Sequence, residues 1–193
     1  VPGGVLIRRR TVLFGLGGAL LLAGGATAVR LTTGYGLPGG EVPIATTAKE
    51  LAIVRAIVEA LLPADGDLPA GVDVGVPQRI DEELWSMSPE LREDLRSAIS
   101  ALEYWPVLSG RGSRLSTLPP AARAEVLDAL AVGGPRPVAQ AAGALKQMCH
   151  LFYYASPETW AALGYDGPWV TTPRPPPSSL AYRALLDARR RAG

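Results

Sequence analysis

The chain has one cysteine, Cys149, and one histidine, His150, in 193 residues. A single thiol excludes an internal disulfide, so cohesion has to come from packing. One thiol and one imidazole also fall short of a structural zinc site, which takes four such ligands. Haem attachment through Cys-x-x-Cys-His fails for want of a second cysteine. Excess charge of one sign is lacking too. The formal net charge is +1, and without Arg8, Arg9 and Arg10 the remainder sits near −2, which is no nucleic-acid footprint. The 17 arginines against two lysines, among abundant Ala, Gly and Pro, are the mark of a GC-rich genome rather than of phosphate recognition.

Motifs for chemistry are equally sparse. Gly15-Leu16-Gly17-Gly18 follows no strand and carries no lysine, so it is no phosphate loop. No Gly-x-Ser-x-Gly elbow offers a serine nucleophile. Asp65, Asp67 and Asp73 hint at calcium, but counting from Asp65, Pro69 and Ala70 occupy the fifth and sixth positions where an EF-hand loop needs an oxygen ligand and glycine. A local Asp/Gly turn accounts for that stretch. Cys149 and His150 are adjacent and invite a nucleophile-and-base reading. Helical neighbours point about 100° apart, however. Cys149 continues an apolar stripe while His150 falls beside Gln147 and Tyr154 on the other side. The sequence thus offers no catalytic, cofactor-binding or metal-ligating residue, and the expectation is a chain that acts by binding.

What is present begins with Arg8-Arg9-Arg10 before an uncharged, glycine-studded run over residues 11–29. Arg9-Arg10-Thr11-Val12-Leu13-Phe14 fits a twin-arginine leader with Arg9 and Arg10 as the recognition pair, although Arg8 stands where Ser or Thr is usual. Ala26-Thr27-Ala28 supplies a small-x-small cleavage pattern. The same run, at 1.5 Å per helical residue, nearly spans a ~30 Å hydrocarbon core. A cleaved signal and a retained anchor both fit. Either way, the arginines stay inside and the rest is exported, to the periplasm or the outer face of the cytoplasmic membrane. That route carries folded cargo, which a simple helical chain does not itself require, so the leader is expected to serve a partner.

Residues 29–46, with Gly34, Gly36, Pro38, Gly39, Gly40 and Pro43, read as a linker. Thr47-Ala48-Lys49-Glu50 is a capping box, and Leu51, Val54, Ile57, Val58, Leu61 and Leu62 recur at helical spacing until Pro63. A short helix is expected near residues 78–87. The next is capped by Ser88 and carries Leu91, Leu95, Ile99 and Leu102 on one face. Pro119-Pro120 opens a helix with Val126, Leu127 and Leu130, stopped by Gly133 and Gly134. The longest helix is expected over residues 137–154, with Val138, Ala141, Ala142, Leu145, Met148, Cys149 and Phe152 as its stripe. After the proline run at 173–177, Ser178 and Ser179 can cap a last helix ending in Arg189, Arg190 and Arg191, cations that suit a helix C-terminus. No segment alternates like a half-buried strand. The fold class is therefore all-α: a small helical bundle over residues 47–170, preceded by the leader (1–28) and a Gly/Pro-rich linker (29–46), and followed by a spacer and helix (171–193).

Residues 153–169 hold Tyr153, Tyr154, Trp160, Tyr165 and Trp169 in a chain that is only 6% aromatic. Aromatics with polar tips concentrate at interface centres and also plug small cores. Both readings apply here, with Trp160 the core candidate inside a capped turn. Tyr153, Tyr154, Tyr165 and Trp169 are the candidate partner-binding residues.

At these residues the chain resembles the gluconate 2-dehydrogenase subunit 3 family. The resemblance rests on Leu61-Leu62-Pro63-Ala64-Asp65-Gly66-Asp67 with Gly75-Val76-Pro77 and Ile80-Asp81, and on the paired tyrosines, Pro157, Trp160 and Leu163-Gly164-Tyr165-Asp166-Gly167-Pro168. Many members carry a Gly-Gly-Asn insertion before the tryptophan, whereas Tyr154 and Trp160 here are six apart. The resemblance implies a non-catalytic accessory subunit that helps mature and co-exports a flavin-dependent dehydrogenase of the glucose-methanol-choline (GMC) type. FAD would reside in that large subunit and no cofactor in this chain. A cytochrome c subunit is a further candidate partner, beside the twin-arginine translocase. The rival expectation is a free-standing exported helical protein with a structural role.

Overall fold

The computed structural model describes residues 33–168 and 177–192. Arg9, Arg10, the 11–29 run and Trp169 lie outside the described residues. The chain divides into two compact units, Val1–Gly34 and Tyr35–Gly193, and the second holds the bundle. It is all-α: among the described residues there are seven helices and no strand. They are α1 (Ala48–Leu61), α2 (Val76–Ser86), α3 (Pro89–Leu108), α4 (Pro120–Gly133), α5 (Arg136–Tyr154), α6 (Pro157–Trp160) and α7 (Pro177–Ala192).

Local chemistry sets the helix ends. Glu50 N–H donates to Thr47 Oγ1 while Thr47 N–H donates to the Glu50 carboxylate at 2.7 Å, closing the expected capping box. The same carboxylate accepts from Arg96 Nε at 3.0 and 3.1 Å, so the cap of α1 also fastens α3. Ser88 caps α3 through Leu91 N–H. Pro106 sits inside the last turns of α3, near its end at Leu108.

Packing then places α1 at the centre, in contact with α2, α3, α4 and α5, while α5 crosses α2, α3 and α4. The core comprises Ile53, Val54, Ile57 and Val58 of α1, Val76, Ile80 and Leu84 of α2, Ile99 and Leu102 of α3, Val126, Leu127 and Leu130 of α4, and Ala142, Leu145, Cys149 and Tyr153 of α5. Leu91, assigned to the α3 stripe from sequence, is instead 54% exposed, because α3 enters the core only from its middle.

The 29–46 linker is shorter than its composition suggests. From Tyr35 onward the backbone belongs to the bundle's compact unit. Asp81, only 3% exposed, accepts from the N–H groups of Ile44 (2.7 Å), Ala45 (3.1 Å) and Thr46 (2.8 Å) and from Thr46 Oγ1 (2.7 Å). Glu41 accepts from Arg55 and Gln78 at 2.9 and 2.7 Å. Glycine and proline here shape a strap rather than a free tether: with no ladder partner for its backbone, the segment is satisfied by side chains.

Candidate partner-docking surface

The chemistry-bearing groups divide into a buried structural set and an exposed apolar set. Glu103, fully buried on α3, accepts from Tyr35 Oη at 2.9 Å and from Ser116 N–H and Oγ at 2.9 and 2.6 Å. Arg114, also buried, brings Nε to 3.6 Å from Glu103 and lies 4.4 Å from the Tyr35 ring centroid. Burial first, then the Glu103 carboxylate, pushes the Tyr35 hydroxyl up. Lys49 donates to Tyr104 at 2.9 Å and pulls that hydroxyl down. Arg123 Nη1 bonds Ala56 O at 3.0 Å and Glu59 at 2.8 Å, while its Nε and Nη2 take the carbonyls of Leu118 and Ser116. These charges are paired internally and knit the strap and the α3–α4 loop to α1. Sequence reading missed them all, since Tyr35 lies 68 residues from Glu103, Lys49 lies 55 from Tyr104 and Arg123 lies 64 from Glu59.

Helix α5 presents two unlike faces. Inward it buries Ala142, Leu145, Cys149 and Tyr153. Tyr153 Oη donates to Pro69 O at 2.7 Å and holds down the loop between α1 and α2. Tyr153 is therefore a core residue, 3% exposed, and not part of an outer surface as sequence reading had it. The 142–145–149–153 helical spacing was the signal that assigns it inward. Cys149 is fully buried, and burial pushes its thiol up to about 12, the state of an inert packing group. His150 Nδ1 meets Lys146 O at 2.7 Å, and its ring stacks on Tyr154 with centroids 6.1 Å apart. The adjacent thiol and imidazole thus point to different sides and do not form a pair.

Outward, α5 shows Gly143, Ala144, Gln147, Leu151 and Tyr154, with Leu151 64% and Tyr154 51% exposed. Helix α6 extends this surface. Thr159 is its buried residue and bonds Tyr153 O and Ser156 O, whereas Trp160 is half-buried and stands outside the core cluster. The core role expected for Trp160 passes to Thr159, because a four-residue helix can turn only one side inward. Trp160 Nε1 donates to Tyr154 O at 3.0 Å, and its ring meets Tyr165 edge-on at 5.3 Å. Gly167, at φ +97°, lies so close under the indole that a Cβ would meet it at 3.1 Å. Tyr154, Trp160 and Tyr165 are thereby held in fixed register, with Leu163 (46%) and Tyr165 (47%) exposed.

Among the described residues no group of three or more His, Cys, Asp or Glu could hold a metal ion. Asp65 and Leu68 exchange backbone hydrogen bonds at 3.1 and 2.9 Å, so the Asp65–Asp67 stretch is a tight turn. The surface has the makings of a binding patch: preformed aromatics with polar tips beside exposed leucines.

The family model described as gluconate 2-dehydrogenase subunit 3 matches residues 48–167, well over half the chain. The chain belongs to the gluconate 2-dehydrogenase subunit 3 family. Neither the curated proteins nor the solved structures contain a match. The matched span takes in α1 to α6 and the whole α5–α6 patch. The Tyr35 strap and α7 of this subunit 3 chain lie outside it.

Proposed function

We propose that this subunit 3 chain is a non-catalytic accessory subunit that binds a GMC-type flavoprotein dehydrogenase, supports its maturation and exports it through the twin-arginine pathway. The flavoprotein carries the FAD. The observation that carries the reading is the exposed Leu151, Tyr154 and Tyr165 with half-buried Trp160 between the tyrosines, inside the domain that defines a dehydrogenase-subunit family. A surface of rigid aromatics contributes contact area at low entropic cost, which suits lasting association with a folded partner. The buried Ala142, Leu145, Cys149 and Tyr153 on the inner side of α5 give the surface a packed backing.

Export is tested by replacing Arg9 and Arg10 with Lys in cells that also produce the flavoprotein. Both proteins are expected to stay in the cytoplasm. Normal export of the double variant would remove the twin-arginine part of the proposal, and export of the flavoprotein alone would remove the co-export part.

A further inference from the structure

Helix α7 touches the bundle along one edge only. Tyr182 packs on Trp85 with centroids 5.8 Å apart and donates to Glu82 O at 3.2 Å, Leu186 is buried, and Arg190 pairs with Glu82. The opposite side has a pattern of its own. At 100° per residue, Leu180, Ala184, Ala188, Ala181, Ala192 and Leu185 fall within a sector of about 140°. All six are exposed, Leu180 by 51% and Leu185 by 57%. Arg183 lies about 60° outside that sector on the Leu180 side and Arg189 about 40° outside it on the Leu185 side, while Arg191 falls within it, about 20° from Leu180. All three are exposed, and none pairs with another described acidic residue. Asp187, the one acid of the helix, lies about 20° outside Leu180, between Arg183 and Arg191 on the wheel, which leaves a net positive charge there. A C-terminal dipole accounts for cations in the last turn, but for neither Arg183 nor the apolar sector.

We infer that this outer face of α7 is a docking surface for an anionic lipid bilayer, on which the helix lies parallel to the surface. The arrangement of the cations selects that occupant. A half-sunk helix has headgroups on both flanks, so arginines on both edges reach phosphates while their stems cover the apolar boundary. An acidic partner helix would engage one edge and leave the other unused. The sector is shallow, two leucines around four alanines, which suits the headgroup boundary rather than the hydrocarbon interior. Among the described residues no helix is long and apolar enough to cross a membrane, so α7 would rest on the bilayer without spanning it. The inference stands apart from the dehydrogenase reading, because it uses no residue of the α5–α6 patch.

Hydrogen exchange of the α7 amides in the full chain tests it without interference from membrane affinity elsewhere in the molecule. Vesicles of phosphatidylcholine alone and with about 30% phosphatidylglycerol, enough to give a negative surface potential, are the probes. Exchange across residues 180–192 should slow at least tenfold on the anionic vesicles, and that protection should fade as salt rises. The pairs Arg183→Gln with Arg189→Gln, and Leu180→Ser with Leu185→Ser, should each abolish the protection while leaving the thermal melt unchanged. Equal protection on neutral vesicles, or unchanged protection in the variants, would overturn the inference. Protection of α7 by the purified flavoprotein but not by lipid would assign the face to a protein and overturn it as well.

Discussion

Asp81 is where the strap is tied to the bundle, and its replacement tests whether residues 35–46 belong to the folded unit. Its carboxylate accepts four hydrogen bonds, three from consecutive backbone N–H groups at 2.7 to 3.1 Å. In Asp81→Ala those donors lose their acceptor. Ile44 and Thr46 are buried, so two of the three N–H groups are poorly placed to recruit water. At roughly 1–3 kcal/mol for each buried unsatisfied donor, the cost comes to about 4 kcal/mol. Asp81→Asn keeps one acceptor oxygen but turns an amide donor toward Ile44 N–H, for about 2 kcal/mol. With a urea slope of about 2 kcal/mol/M, the midpoints should fall by about 2 M and 1 M. Limited proteolysis should cut within 35–46 in the Ala variant before it cuts the helices. A loss below about 0.5 kcal/mol in Asp81→Asn, with the strap still protected, would refute the reasoning.

Two further outcomes test the packing behind the patch. The Cys149 thiol, pushed from 9.0 up to about 12 by burial, ionises in the unfolded chain before it does so in the folded one. Its contribution is therefore intact below pH 9 and lost progressively as pH rises toward 12, by roughly 1.4 kcal/mol per pH unit. Urea melts from pH 8 to 11 should show a steeper decline in the native chain than in Cys149→Ala, and parallel declines would contradict the buried-thiol assignment. Gly71→Ala places a Cβ 2.8 Å from both Leu62 Cβ and Val58 Cγ1, so it should destabilise by roughly 1–3 kcal/mol in a thermal melt, whereas an unchanged melt would show that the loop gives way freely.

What could be read from the sequence was local. The Thr47-to-Glu50 box, the Ser88 cap and the inward phase of Cys149 all depend on residues within one or two turns, and all stand in the structure. The anchoring of 35–46 was not legible, because Asp81 finds Ile44 from 37 residues away and Tyr35 finds Glu103 from 68. No local pattern marks an acid that will accept backbone N–H groups at that separation. The tyrosine pair lay between these cases. Composition singled out the aromatic cluster, but only the helical phase of α5 separates buried Tyr153 from exposed Tyr154, and only the tertiary contact with Pro69 explains the Tyr153 hydroxyl. Trp160 misled for a related reason: its place inside a capped turn suggested core, while the short α6 had room inside only for Thr159.

The central claim is that the α5–α6 surface holds a flavoprotein. Its most direct test is a titration of purified flavoprotein subunit onto the full chain, followed by flavin absorbance in the recovered complex. Tyr154→Ala with Tyr165→Ala should weaken binding by 30-fold or more, at about 2 kcal/mol for a hot-spot aromatic, with an unchanged melt. Tyr153→Phe should bind as the native chain does while losing about 1 kcal/mol of stability from its missing bond to Pro69. Native affinity in the Tyr154/Tyr165 variant would contradict the account and move the docking surface elsewhere on the molecule.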